Sequence, residues 1–127
     1  MAFIDNGNPI CAAEEEMKSF LIGVALTLLF GIELANASCQ TMRRLAQEHS
    51  IDMAHRDHLD HRGFASRAKR GARAENVAYG YNSQAKTIAQ WAASPPHAAN
   101  MRLPGCKGIA SAVSRSGRRY WTMEIGW

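Results

Sequence analysis

Three apolar patterns organise the chain. The first is an uncharged run, Phe20 to Ile32. The second has helical spacing: Met42, Leu45, Ala46, His49 and Met53 recur every three or four residues, which predicts a helix over Gln40–Arg56. Ala85, Ile88, Ala89 and Ala92, with Trp91 beside them, predict another helix, capped by Asn82 or Ser83 and reaching Ala93. Pro95 and Pro96 end it and can open the next turn, because proline is tolerated at a first helical position. The third pattern alternates. Trp121, Met123 and Ile125 point one way and Tyr120, Thr122 and Glu124 the other, predicting a strand over Arg118–Ile125. Gly108–Ser114 is its expected partner across Arg115-Ser116-Gly117. From Asp57 to Arg73 the chain is polar and basic with Gly63 and Gly71 as breakers, so a loop or short helical turns are expected. Ala74–Tyr81 is expected to be extended. Helices before and around a terminal hairpin give an α+β class.

The apolar run changes the picture of the first third. Lys18 precedes it, and Leu34-Ala35-Asn36-Ala37-Ser38 follows as a small-x-small cleavage site. These are the parts of a secretory signal, with the cut expected after Ala37. The acids Asp5, Glu14, Glu15 and Glu16 oppose a positive n-region, so residues 1–16 read as an over-extended start, with translation beginning at Met17. The alternative is an uncleaved inner-membrane anchor over residues 19–37, for which the run is short. A lipoprotein at Cys39 is disfavoured, since Asn36-Ala37-Ser38 lacks the branched aliphatic residue expected three places ahead. Residues 38–127 then form one small domain.

That domain keeps fourteen Lys and Arg against six Asp and Glu, a formal charge of +8, where the whole chain carries +4. Such a balance favours anionic partners, and export makes an envelope component the expected one. Nucleic acid is disfavoured, because no aromatic-basic stacking pattern or groove helix is apparent. Of three cysteines, Cys39 and Cys106 remain after cleavage. An exported domain this small is short of core, so a Cys39–Cys106 disulfide is expected, stabilising by roughly 3–4 kcal/mol.

The candidate chemistry lies in separate short motifs. Asp57-His58-Leu59-Asp60-His61 is dense in metal-ligand types, although Gly63 argues against a long helix and two imidazoles do not close a zinc site. Glu75 precedes Asn76-Val77-Ala78, where a carboxylate needs a partner if the segment packs. His97 lies within Trp91-x-x-Ser94-x-x-His97-x-x-Asn100. Taken in order with Tyr120-Trp121-Thr122, these motifs resemble the CAP superfamily of secreted proteins (cysteine-rich secretory, antigen-5 and pathogenesis-related proteins), in its small bacterial form. The resemblance runs from about Leu45 to Gly126. It implies a three-layer α-β-α sandwich, with the helix and strand that usually come first either trimmed from this variant or lying outside the sequence. It also implies that His61, Glu75 and His97 converge in one cleft.

The departures from the pattern are Ala74 for the usual Gly before Glu75, Pro96 and Ala98 around His97, and Met123 with Glu124 where Gln is common. Tyr120 and Glu124 share a strand face and are candidate cleft-lining residues, as an outward-facing strand would also allow. Asn76 is a third candidate for lining the cleft, expected to order backbone more than to contact a ligand, and His49 and His55 are expected to be structural or solvent-facing. The expected function is an exported domain, secreted or periplasmic. Its His/Glu cleft would bind a divalent metal such as zinc or a small, lipid-like ligand. The alternatives are an envelope hydrolase using the same residues and a basic surface-adhesion module.

Overall fold

The computed structural model describes the backbone of residues 9–127 and the side chains of residues 38–127 with most of 17–27. The expected over-extended start, residues 1–16, and the cut after Ala37 lie outside the residues whose side chains are described. By its contacts the chain divides into two units, Met1–Leu34 and Ala35–Trp127. Helix α1 covers Pro9–Arg56. In the first unit Phe20, Leu21, Ile22 and Leu26 are exposed. Among the described residues no helix is long and apolar enough to cross a membrane.

In the second unit the helix predicted from Gln40 is the last part of α1, and it ends at Arg56 as expected. Asp57 takes a left-handed φ of 51° and stops it. The basic segment that follows contains a short helix, α2 (Phe64–Lys69). Strand β1 (Ala72–Tyr79) comes next. Helix α3 (Gln84–Ala92) is capped by Ser83, whose Oγ accepts from the Lys86 N–H. Helix α4 (Pro95–Arg102) begins on the two prolines. Strands β2 (Cys106–Val113) and β3 (Arg119–Gly126) form the hairpin.

The strands make one antiparallel sheet in the order β1-β3-β2. Centre position explains why Tyr120 through Gly126 are all buried: the predicted alternation is real, but both faces are covered. Trp121, Met123 and Ile125 pack with Ala78, Trp91 of α3, and Met101 and Leu103 at the end of α4. On the other face Tyr120 and Val77 pack with Met53 and Ala54 of α1, and the Ser50 hydroxyl donates to Thr122 Oγ1 at 2.9 Å. A register shift between Ala72 and Ala74 turns Ala72 to the α1 side, where it meets Met42 and Leu45.

Two further links bind α1 to the sheet. The Cys39–Cys106 disulfide expected from the sequence is present. At Gly108 of β2 the helix backbone comes so close that a Cβ would collide with Met42 and Arg43 main-chain atoms. Only glycine permits that approach. On the opposite face, the indole of Trp91 donates to Val77 O at 3.1 Å and fixes α3 against β1.

Candidate functional site

The site is built around Glu75, in the middle of β1. Pleating sends Glu75 to the side of α1 and α2, and its neighbour Asn76 to the side of α4. A lone buried carboxylate would be costly, and the partners that such a carboxylate requires are present. Glu75 is buried, and its Oε1 lies 2.7 Å from His61 Nδ1. Its Oε2 lies 2.5 Å from Arg67 Nη2. The His49 Nε2 atom of α1 stands 3.7 Å from Oε1. Directly across the sheet, Glu75 pairs with Glu124 of β3.

Arg67 holds this cluster together. Its side chain is buried, and Nε lies 2.7 Å from Glu124 Oε1 while Nη1 donates to Arg62 O at 2.9 Å. The contacts to the two carboxyls are close but oblique, so they act as ion pairs and not as well-directed hydrogen bonds. Gly63, with φ 76°, starts α2 and turns the chain so that Arg67 points inward. The sequence places Arg67 among the basic residues of a loop or short helical turn; in the fold it is the buried cation of the site. Nothing in the sequence marks which of Arg67, Lys69, Arg70 and Arg73 turns inward.

Protonation follows from these contacts. Burial pushes Glu124 up, the adjoining Glu75 adds to it, and the group is raised to about 9, so it is neutral at pH 7. Burial also opposes Glu75 ionisation. The adjoining Glu124 carboxyl, the His61 hydrogen bond and the positive charge of Arg67 nearby outweigh it, and Glu75 lies below its ordinary value. An ionised carboxylate only accepts, so His61 donates Nδ1–H, which in the neutral ring leaves the lone pair on Nε2. The His61 side chain is 56% exposed against 2% for Glu75. Burial lowers His49, which uses Nε2–H on Asp60 O at 2.8 Å. Of the two histidines expected to be structural or solvent-facing, His49 is buried against the acid of the site and His55 is on the exterior of α1.

His97 sits at the start of α4. Its Nδ1 lies 2.9 Å from the Oγ of Ser94, the N-cap, and its carbonyl accepts from Asn76 Nδ2 at 3.1 Å. Asn100 Nδ2 donates to Asn76 Oδ1 at 2.9 Å, so the Asn76 amide is held at both ends. His97, Ser94, Gln90, Tyr79, Tyr81 and Leu59 line a groove of about 630 Å³ along the free edge of β1. Among the described residues no hydrogen bond or ion pair joins His97 to His61 or Glu75. The structure thus brings His61 and Glu75 into contact and puts His97 in the groove, without a direct bond between the two parts.

Tyr120 and Glu124 do share a face, and both are fully buried. The Tyr120 hydroxyl donates to Asp57 Oδ1 at 2.9 Å. Neither residue presents a side chain to solvent. Among the described residues no group of three or more His, Cys, Asp or Glu is arranged to hold a metal ion. Both Glu75 oxygens are engaged, which makes it an orienting group. The second ring nitrogen of the exposed His61 is the atom this pair presents outward.

The model of the cysteine-rich secretory protein family (CAP) matches residues 36–125. A search of curated proteins returned no match. The matched stretch is nearly the whole second unit and most of the chain, and the chain belongs to that family.

Proposed function

We propose that the chain is an exported CAP domain, with the family's three-layer α-β-α sandwich. In this reading the imidazoles of His61 and His97 together bind a divalent ion or a small ligand, His97 reaching it from the β1 groove. The observation that carries the reading is the 2.7 Å contact between a buried Glu75 and an exposed His61 ring. A histidine that works through one nitrogen needs the other held by an acceptor, and a carboxylate is the usual holder for metal-binding imidazoles. Zinc, when bound, would supply a positive centre that polarises a ligand. His61 and His97 would supply two of its ligands, with water or the bound ligand completing the set, while Glu75 orients His61.

Export is supported by the apolar run after Lys18 and by the Cys39–Cys106 bridge, which suits an oxidising compartment. The location would be periplasmic or extracellular, with the membrane as partner only if the signal stays uncleaved.

The same Glu75–His61 pair supports a hydrolase as second reading, with His61 as general base and Glu75 as its orienter. An ordinary glycosidase pair is disfavoured, because Glu124 is fully buried and cannot reach a sugar. Calorimetric titration of the purified protein with zinc tests the leading reading. Binding lost in His61→Ala and in His97→Ala supports it. Hydrolysis of envelope polymers that disappears in Glu75→Gln would favour the enzyme. Binding to anionic polymers that salt abolishes, and that His61→Ala leaves alone, would favour a basic adhesion surface.

A further inference from the structure

The working end of the site is one exposed imidazole, yet four other polar side chains are buried behind it. We propose that Arg67 is a positioning residue for His61: wedged between the Glu75 and Glu124 carboxyls, its guanidinium fixes Glu75 and so holds the His61 ring with Nε2 toward solvent. This rests on the reading that His61 acts through Nε2.

Glu75 offers two oxygens, and each has a different partner. Oε1 takes His61 Nδ1 at 2.7 Å and Oε2 takes Arg67 Nη2 at 2.5 Å. A carboxylate held at one oxygen only could rotate about its terminal torsion, which is broad and roughly two-fold. Arg67 removes that freedom. The guanidinium is itself held at three points, by Glu75, by Glu124 Oε1 at 2.7 Å and by the Arg62 carbonyl at 2.9 Å. The last contact also ties Arg67 to the residue after His61, so ring and acceptor share one anchor. A lysine could not do this, because its single ammonium nitrogen cannot reach both carboxyls and the Arg62 carbonyl at once.

The test is the side-chain ¹⁵N spectrum of His61 in the full chain, with zinc affinity measured on the same samples. In the wild type the neutral ring should carry its proton on Nδ1. In Arg67→Lys and Arg67→Met the ring should show both tautomers, and zinc should bind on the order of 10-fold more weakly, the usual cost of losing an outer-shell partner. Glu124→Gln keeps a carbonyl oxygen for Arg67 Nε and should retain the wild-type tautomer.

Far-ultraviolet circular dichroism identifies variants that fold. If Arg67→Met does not, the lysine variant decides. A folded Arg67 variant with an unchanged tautomer overturns the proposal. If the tautomer moves while His61→Ala leaves zinc binding intact, Arg67 positions the ring but the functional reading fails. If zinc binding needs His61 while the tautomer ignores Arg67, the functional reading stands and this proposal falls.

Discussion

Glu75 and Glu124 stand directly opposite each other on adjacent strands, and a single buried guanidinium, Arg67, serves both. Like charges at a directly paired position repel, and one cation cannot balance two anions, so one carboxyl stays protonated. Because Glu124 is raised to about 9 in the folded state, the native chain binds a proton that the unfolded chain has released. Stability from this group is therefore full below the ordinary carboxylate range, near pH 4, and is lost as pH rises to about 9. Glu75, held low, contributes with the opposite sign and loses its share in acid. Glu124→Gln should flatten the alkaline loss and be more stable than the wild type at pH 9 by roughly 1–3 kcal/mol. Denaturant unfolding between pH 5 and pH 9 checks it; parallel profiles for the two proteins would contradict it.

Removing the cation should cost more than removing either acid's charge. Arg67→Met leaves Glu75 buried without its counter-charge, and breaking such a pair typically costs about 3–5 kcal/mol. The double variant Arg67→Met/Glu75→Gln should recover part of that loss. Equal destabilisation in the single and double variants would mean that packing of the Arg67 stem, and not its charge, is what matters.

The Cys39–Cys106 bridge joins α1 to the start of β2 across a sequence separation of 67. Reduction, or Cys39→Ser with Cys106→Ser, should lower stability by about 3–4 kcal/mol if the bridge acts through chain entropy. A melting temperature unchanged by reduction would refute that. Nearby, Gly108→Ala should be severe for its size, costing about 2–3 kcal/mol by overpacking. The new Cβ would meet the Arg43 and Met42 backbone, which cannot swing aside. A neutral Gly108→Ala would show that α1 has room to shift.

Much of the fold was legible because its signals are local. The Met42-Leu45-Ala46-His49-Met53 stripe, the Ser83 cap, the Pro95-Pro96 start and the β3 alternation each state their element in a few residues. The sheet order was not legible, since β1 joins β3 across the intervening helices, and periodicity carries no information about such pairing. The site divided in the same way. Glu75 announced a need for a partner by being an acid in an apolar strand, and the resemblance offered His61 and His97, of which His61 makes the contact. Arg67 was hidden, because one inward arginine in a basic segment looks like its neighbours that face water. His49 sat on the apolar stripe of its helix, so its burial could be read, but its approach to Glu75 depends on the tertiary fold.

Export has a direct chemical readout. Mass spectrometry of the protein recovered from its native compartment should give an N-terminus at Ser38. Recovery from membranes with the segment from Met17 to Ala37 intact would replace the cleaved signal by an anchor.

The central claim is that His61, held by Glu75, shares one ligand site with His97. Side-chain ¹⁵N spectra followed through a zinc titration test it most directly. With a shared site, the Nε2 signals of His61 and His97 move together in a single saturating step, and the His97 response vanishes in His61→Ala. Zinc that leaves both rings unmoved, or that shifts only His55 and His58, would contradict it.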